Sequence, residues 1–325
     1  MKAALCKSLD GPQALSLEML PEPIPGRDQA IIRVKAVGLN FADTLITRGK
    51  YQFKPDLPFS PGAEIAGVVE SAPETDSQLS PGQKVMAYVN WGGAAEKIAV
   101  AAETLIPIPE NVPLTVAAGL SVTYGTAMHG LRDRGRLKKG ETVVVTGAAG
   151  GAGQAAIEIA KLMEARVIAV VSSPEKREIA KAAGADDAIL FPGTDLKAEV
   201  RALTGGSGAD VVYDCIGGEA AESLVRALAW QGRFLVVGFA SGEIPKLPLN
   251  LLLLKGAEMS GVFWGESVRR DPEGHRANMC QLLDWVAAGR LSPRIQATYP
   301  IEKIVDALSV LDRREAKGKI VLTID

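Results

Sequence analysis

One stretch constrains the fold more than any other, Glu141-Thr-Val-Val-Val-Thr-Gly-Ala-Ala-Gly-Gly-Ala-Gly-Gln-Ala-Ala156. A short β-branched run breaks into glycines and then into a helical pattern, which predicts strand, tight turn and helix. Within it, Gly151-Ala-Gly153-Gln-Ala-Ala156 fits the G-x-G-x-x-G/A form of a dinucleotide fingerprint. One glycine permits the turn, the next lets the backbone approach a pyrophosphate with no Cβ in the way, and the small Ala156 lets the helix pack close to the strand. The N–H groups that open the helix then face the anion, and the helix dipole adds to their attraction. Alone, the pattern also describes an ordinary strand-to-helix turn, so its weight comes from the chain around it.

Downstream, strand and helix patterns alternate. Strands are predicted at Thr142 to Thr146, Arg166 to Val171, Ala188 to Phe191, Val211 to Cys215, Phe234 to Val237 and Glu258 to Phe263. Helices are predicted at Gly153 to Met163, Pro174 to Ala183, Asp195 to Leu203, Glu219 to Leu228 and Leu249 to Leu254. This is the rhythm of a doubly wound parallel sheet. Upstream, short runs at Ala30 to Val37, Ile65 to Glu70, Lys84 to Val89 and Lys97 to Val100, punctuated by proline and glycine, predict a β-rich unit. A helix over Asn40 to Arg48, capped by Asn40, interrupts it, and a longer one over Thr115 to Leu131 contains Gly119 and Gly125. The tail predicts helices at Gln281 to Ala288 and Ile301 to Leu311 and a terminal strand at Lys319 to Ile324. That strand has to pair somewhere, and a return to the N-terminal β unit would make that domain discontinuous.

Thirty-six Lys and Arg against 38 Asp and Glu give a net charge of −2, so no basic field draws the chain to nucleic acid or an anionic membrane. Cys6, Cys215 and Cys280 are scattered among two histidines, with no zinc, CxxC or disulfide spacing. No apolar run spans a bilayer and Lys7 interrupts any signal-peptide core, which predicts a cytoplasmic protein acting on small molecules.

In a dinucleotide fold an acid at the end of the second strand binds the ribose 2′-hydroxyl of NAD. Here that end reads Val170-Val-Ser-Ser-Pro-Glu-Lys-Arg177. Hydroxyls at Ser172 and Ser173 and the Lys176 ammonium suit a 2′-phosphate dianion instead. Asp214-Cys-Ile-Gly-Gly218 and Val237-Gly-Phe239 mark later strand ends, where open α/β sheets bind ligands. Arg269, Arg270, His275 and Arg276 form a basic cluster in an expected loop, read as solvated charge or as a seat for coenzyme A phosphates.

The whole chain resembles the medium-chain dehydrogenase/reductase superfamily, in particular its zinc-free quinone oxidoreductase branch, which includes zeta-crystallin. Gly38-Leu-Asn-Phe-Ala-Asp43, Arg48-Gly-Lys-Tyr51, Pro61-Gly-Ala-Glu64, Ala117 to Thr126, Ala149 to Gly153, Leu249 to Lys255, Gly261-Val-Phe-Trp264 and Gly318-Lys-Ile-Val321 carry the likeness. It implies an α/β protein in which residues 1–122 and 265–325 form a GroES-like catalytic domain and residues 123–264 a Rossmann NADP-binding domain, with the active site in the cleft. Where zinc relatives carry a cysteine and a histidine as ligands this chain has Asn40 and Ala63, so no metal is expected. The resemblance puts Asn40 and Thr126 beside the nicotinamide, with the backbone of Phe239 and Phe263 on its carboxamide. It puts Gly150, Gly151 and Gly153 on the pyrophosphate, Ser172 and Lys176 on the 2′-phosphate, and Lys319 near the cofactor. Tyr51, with Asn40, is the catalytic candidate, either orienting a carbonyl and donating a proton or serving as an aromatic wall. Trp91 and Trp264 line the pocket or belong to the core. Phe191 stands where many relatives place a second phosphate-binding tyrosine. The implied activity is NADPH-dependent reduction of quinones, enals or enones, with an enoyl-CoA-type thioester reductase, or a crystallin-like cofactor-binding protein of little turnover, as alternatives. The implied assembly is a homodimer joined through the edge at Met259 to Trp264.

Overall fold

In the computed structural model of the chain, described over residues 1–73 and 79–325, the proline- and glycine-punctuated start forms seven strands. They are β1 (Lys2–Cys6), β2 (Leu15–Met19), β3 (Gln29–Leu39), β4 (Glu64–Ser71), β5 (Lys84–Tyr88), β6 (Lys97–Ala101) and β7 (Ile106–Pro107). Helix α1 (Phe41–Ile46) follows β3 directly, because Asn40 caps it and the Asp43 carboxylate accepts the Asn40 N–H at 2.7 Å. The single helix expected over Thr115 to Leu131 is instead α2 (Leu114–Ala117) and α3 (Ser121–Met128), followed by a π-helical turn over His129–Arg134. Gly119 lies in the break, where a Cβ would sit 2.9 Å from Lys319 Cγ.

The alternation from Thr142 onward is realised as β8 (Thr142–Thr146), α4 (Gly151–Leu162), β9 (Arg166–Val171), α5 (Pro174–Ala182), β10 (Asp187–Leu190), α6 (Leu196–Leu203), β11 (Ala209–Asp214), α7 (Ala220–Ala227), β12 (Leu228–Val236), α8 (Asn250–Leu253) and β13 (Glu258–Gly261). All six strands are parallel in the order β10-β9-β8-β11-β12-β13. Every residue of β8 is buried, as a strand covered on both faces requires. Val144, Ile168, Val212 and Phe234 anchor its core, each side chain contributing roughly 1.5–3 kcal/mol by burial. Strand order reverses between β8 and β11, the point at which open α/β sheets bind ligands.

The tail adds α9 (Trp264–Arg270), α10 (Pro272–Ala287), β14 (Ile295–Pro300), α11 (Ile304–Asp312) and β15 (Lys319–Thr323). β15 runs antiparallel to β3, with Ile320 opposite Leu39, so the chain's end does return to the first sheet. That sheet has the order β14-β15-β3-β4-β5-β7, with β6 also on β3. The chain thus divides into two compact units, Met1–Val122 with Ser267–Asp325, and Thr123–Glu266. The loop expected around Arg269 to Arg276 is helical. The Asp271 side chain accepts the Gly274 N–H at 2.9 Å and Pro272 occupies the first turn, so Asp-Pro-Glu-Gly starts a helix where its glycine and proline suggest a loop. Burial lowers the His275 imidazole to about 4, and Arg276 donates to the Leu105 carbonyl at 2.8 Å, so these two members of the expected cluster are engaged with the fold.

Candidate active site

The glycine-rich turn assigns its tasks differently from the simple motif. Gly147, with φ +60°, makes the turn out of β8. A Cβ on Gly153 would fall 2.3 Å from the Gly147 carbonyl oxygen and 2.6 Å from Ala148 Cα, so this glycine lets α4 approach the strand end. Gly150 caps α4 in extended conformation with no side chain bonded to the helix start, and Gly151 is the first helical residue. The first N–H groups of α4 therefore have no side-chain cap to satisfy them, an arrangement that suits an anion. Beside this turn, Thr146 donates to the buried Asp214 carboxylate at 2.6 Å, and the same carboxylate accepts the N–H of Ile216 at 3.0 Å and of Gly217 at 3.2 Å. One buried acid thus couples the ends of neighbouring β8 and β11 and shapes the Asp214 to Gly218 loop.

At the end of β9, the Lys176 ammonium donates to Ser172 Oγ at 3.0 Å, which brings the two residues of the expected 2′-phosphate site together. Ser173 has another task, accepting the Lys176 N–H at 3.2 Å as the cap of α5. Phe191 follows β10 and donates its N–H to the Val171 carbonyl at 2.9 Å. Phe239 and Phe263 follow the ends of β12 and β13, 38% and 47% exposed, and Thr126 lies in α3. Trp264 is core: it is 6% exposed and its ring lies 2.8 Å from where a Gly125 Cβ would be. On α3, the Tyr124 hydroxyl donates to the Glu158 carboxylate at 2.5 Å, and burial pushes that carboxyl up to about 7.

In the other unit, sheet register assembles a buried polar cluster from three distant points of the chain. Gly38 pairs with Glu64 across β3 and β4, and Leu39 with Ile320 across β3 and β15, so Asn40, Glu64 and Lys319 meet. Each is at most 7% exposed. The Lys319 ammonium is ion-paired with Glu64 Oε1 and donates to Asn40 Oδ1 at 2.6 Å. Asn40 Nδ2 donates to Glu64 Oε1 at 3.0 Å and, at 3.4 Å, to the Gly38 carbonyl. Glu64 Oε2 accepts the Val122 N–H at 2.8 Å, near the start of α3. Gly38 has to be glycine here, since a Cβ would lie 2.1 Å from the Ala118 carbonyl oxygen. Asp43 accepts the N–H groups of Asn40 and Gly62 at 2.7 and 3.0 Å, yet burial still pushes its carboxyl up to about 6. Tyr51 packs against Cys6, Ile46 and Phe59 and meets Phe53 edge-on at 5.9 Å. Burial, and then the Asp43 charge, hold its phenol above the ordinary value.

Asn40 and Lys319 are therefore joined, as are Ser172 and Lys176, and Lys319 is committed to Asn40 and Glu64. Reasoning from sequence did not single out Glu64, Asp43 or Asp214. All three stand inside quoted segments, Pro61 to Glu64, Gly38 to Asp43 and Asp214 to Gly218, and an acid in an otherwise apolar run was the available signal.

A family model described as an alcohol dehydrogenase GroES-like domain matches residues 26–110, and one described as a zinc-binding dehydrogenase matches residues 151–287. The quinone oxidoreductase-like protein 2 of Rattus norvegicus is 39% identical over 324 residues, which cover 99% of this chain and 92% of the relative. Among solved structures, a probable oxidoreductase from Mycobacterium abscessus matches with a TM-score of 0.89 at 39% identity over 99% of each chain. The quinone oxidoreductase from Thermus thermophilus, whose structures include a complex with NADPH, matches with a TM-score of 0.87 at 34% identity, over 99% of this chain and 100% of that one. The chain belongs to the quinone oxidoreductase branch of the medium-chain dehydrogenase/reductase superfamily.

Proposed function

We propose that this oxidoreductase takes NADPH, needs no zinc and reduces quinones or α,β-unsaturated carbonyls. The observation that carries the cofactor choice is the Lys176–Ser172 pair at the end of β9, which offers an ammonium and a hydroxyl where NAD enzymes present an acid. Bound, NADPH supplies a hydride equivalent to an electron-poor carbon or a quinone. The chain's own residues bind and orient: the N–H groups of Gly151 and Gly153 at the start of α4 take the pyrophosphate, beside Gly150, whose own N–H goes to the Gly147 carbonyl at 2.9 Å; Ser172 and Lys176 take the 2′-phosphate, and Thr126 and the backbone of Phe239 and Phe263 the nicotinamide end.

Two features support a metal-free mechanism. Ala63 offers no donor atom, and Asn40 turns its carbonyl oxygen to the Lys319 ammonium, a charge that repels a divalent cation. The match to the zinc-binding dehydrogenase model lies at residues 151–287, which contain neither position. Tyr51 then supplies electrophilic help, because a phenol held above its ordinary pKa stays protonated at neutral pH and donates to a developing oxyanion. A homodimer is part of the same reading: β13 is a sheet edge, and nearby Trp230, Leu253 and Leu254 are 72%, 80% and 70% exposed.

The test is a turnover panel of quinones, enals and enoyl thioesters with NADPH and NADH, run beside elemental analysis. Turnover confined to enoyl thioesters would favour the thioester-reductase alternative, and tight NADPH binding without turnover the crystallin-like one. Activity that depends on stoichiometric zinc would overturn the mechanism.

A further inference from the structure

The unit Thr123–Glu266 holds a cavity of about 300 Å³ whose lining includes all four residues of β10, Asp187 to Leu190. Consecutive strand residues point to opposite faces, so a cavity that touches four in a row borders the edge of the strand and not one face of it. β10 pairs only with β9, which leaves the N–H and C=O groups of its outer edge open on that side. Arg177 comes to the cavity from α5, before the strand, and Glu199 and Leu203 from α6, after it. Arg177 Nε is buried with no hydrogen-bond partner, and a buried donor left unmet costs free energy until something accepts from it. Among the described residues neither the Arg177 guanidinium nor the Glu199 carboxylate has a side-chain partner. Asp187 differs from them, since Arg166 pairs with it at 2.7 Å. One cavity is thus flanked by a cation and an anion that do not neutralise each other.

Charge decides which ligand suits it. A simple anion would satisfy Arg177 and meet a like charge at Glu199, and a simple cation would do the reverse. A zwitterion satisfies both. The guanidinium fork matches the geometry of a carboxylate, an ammonium donates to Glu199, and Leu190 and Leu203 supply an apolar wall between them. The volume lies at the small end of the range for ligand cavities, which suits one small molecule and not a long chain. We propose that this cavity binds a free α-amino acid with an apolar side chain, its carboxylate on Arg177 and its ammonium on Glu199. The site is separate from the reductase chemistry and stands whichever substrate is reduced.

Three probes of nearly one shape test it by isothermal titration calorimetry: L-leucine, L-leucinamide, which lacks the carboxylate, and isocaproate, which lacks the ammonium. Leucine should bind the wild-type chain at least about tenfold more tightly than either analogue, the scale of one charge-assisted contact. Arg177→Gln should weaken leucine by about tenfold or more and leave leucinamide unchanged, while Glu199→Gln should weaken leucine and leave isocaproate unchanged. Melting temperature is recorded for each variant, and should one not fold, the other variant and the wild-type comparison of probes decide. Analogues that bind as tightly as leucine would refute recognition of a zwitterion, and leucine affinity unaltered in both variants would put its site elsewhere. Absence of binding by leucine, valine, methionine and phenylalanine up to about 10 mM would leave the cavity to solvent and overturn the proposal.

Discussion

Gly150 and Gly153 stand three residues apart in one glycine-rich turn, yet the structure predicts opposite phenotypes when each becomes alanine. At Gly153 the new Cβ would sit 2.3 Å from the Gly147 carbonyl oxygen and 2.6 Å from Ala148 Cα, all backbone. Carbon and carbonyl oxygen come no closer than about 3.3 Å without strain, so α4 must retreat by roughly 1 Å. It has little freedom to do so, because Ala156, Ile157 and Ala160 on its inner face are fully buried. Overpacking of this kind costs about 1–3 kcal/mol, and with backbone on both sides of the clash we expect the upper half of that range. At Gly150, φ −82° and ψ 170° suit any residue, and a Cβ meets only the Gly147 carbonyl oxygen at 3.4 Å. Gly150→Ala should leave stability unchanged or raise it by about 0.5 kcal/mol through the unfolded chain. Its Cβ nevertheless stands at the mouth of α4, where the pyrophosphate would approach, so NADPH affinity should fall at least about tenfold. Urea unfolding followed by far-UV circular dichroism and NADPH fluorescence titration on both variants separate the effects. Gly153→Ala as stable as wild type would refute the packing argument, and Gly150→Ala with wild-type affinity would remove the pyrophosphate from this turn.

Ser172→Asp should weaken NADPH and hold or strengthen NADH, and Lys176→Ala should lower the NADPH-to-NADH ratio of kcat/KM by about tenfold or more, the scale of one charge-assisted contact; an unchanged ratio in Lys176→Ala places the 2′-phosphate elsewhere. Tyr51→Phe should lower kcat for enals or thioesters by roughly tenfold to a thousandfold and for quinones by less, since solvent can protonate a reduced quinone. Equal small losses on both classes would make Tyr51 a wall. Glu158 titrates near 7 in the folded chain against an ordinary 4.5, so the native state binds this proton more tightly than the unfolded one. Its contribution to stability falls as pH rises from about 4.5 through 7, by about 2–3 kcal/mol in all. Glu158→Gln keeps an acceptor for Tyr124 without that charge, so it should exceed wild type by about 2 kcal/mol in urea unfolding at pH 8 and converge with it near pH 4. A gap that does not change with pH would contradict the assignment.

The parallel sheet was legible because strands covered on both faces are continuous apolar runs; Thr142 to Thr146 and Arg166 to Val171 read to the residue. β2 and β14 were not, since their half-exposed alternation spans only five or six residues of mixed polarity. α10 was shortened in the reading because Pro272 and Gly274 look like breakers until Asp271 is seen capping the helix. The Ser172–Lys176 hydrogen bond is local, joining residues four apart at the start of one helix, so sequence spacing alone could suggest it. The Asn40 cluster is not local. Only the β3 register with β4 and β15 joins positions 40, 64 and 319, and no spacing rule anticipates that register.

Hydride transfer from NADPH without a metal is tested most directly by one measurement, the rate of NADPH oxidation at 340 nm with a quinone acceptor, using enzyme that elemental analysis finds free of zinc and comparing NADPH with its 4-deuterated form. The account predicts sustained turnover, stronger with NADPH than with NADH, and a slower rate with the deuterated cofactor when transfer limits single-turnover kinetics. Zinc-free enzyme that is inactive and regains turnover on adding zinc would contradict it.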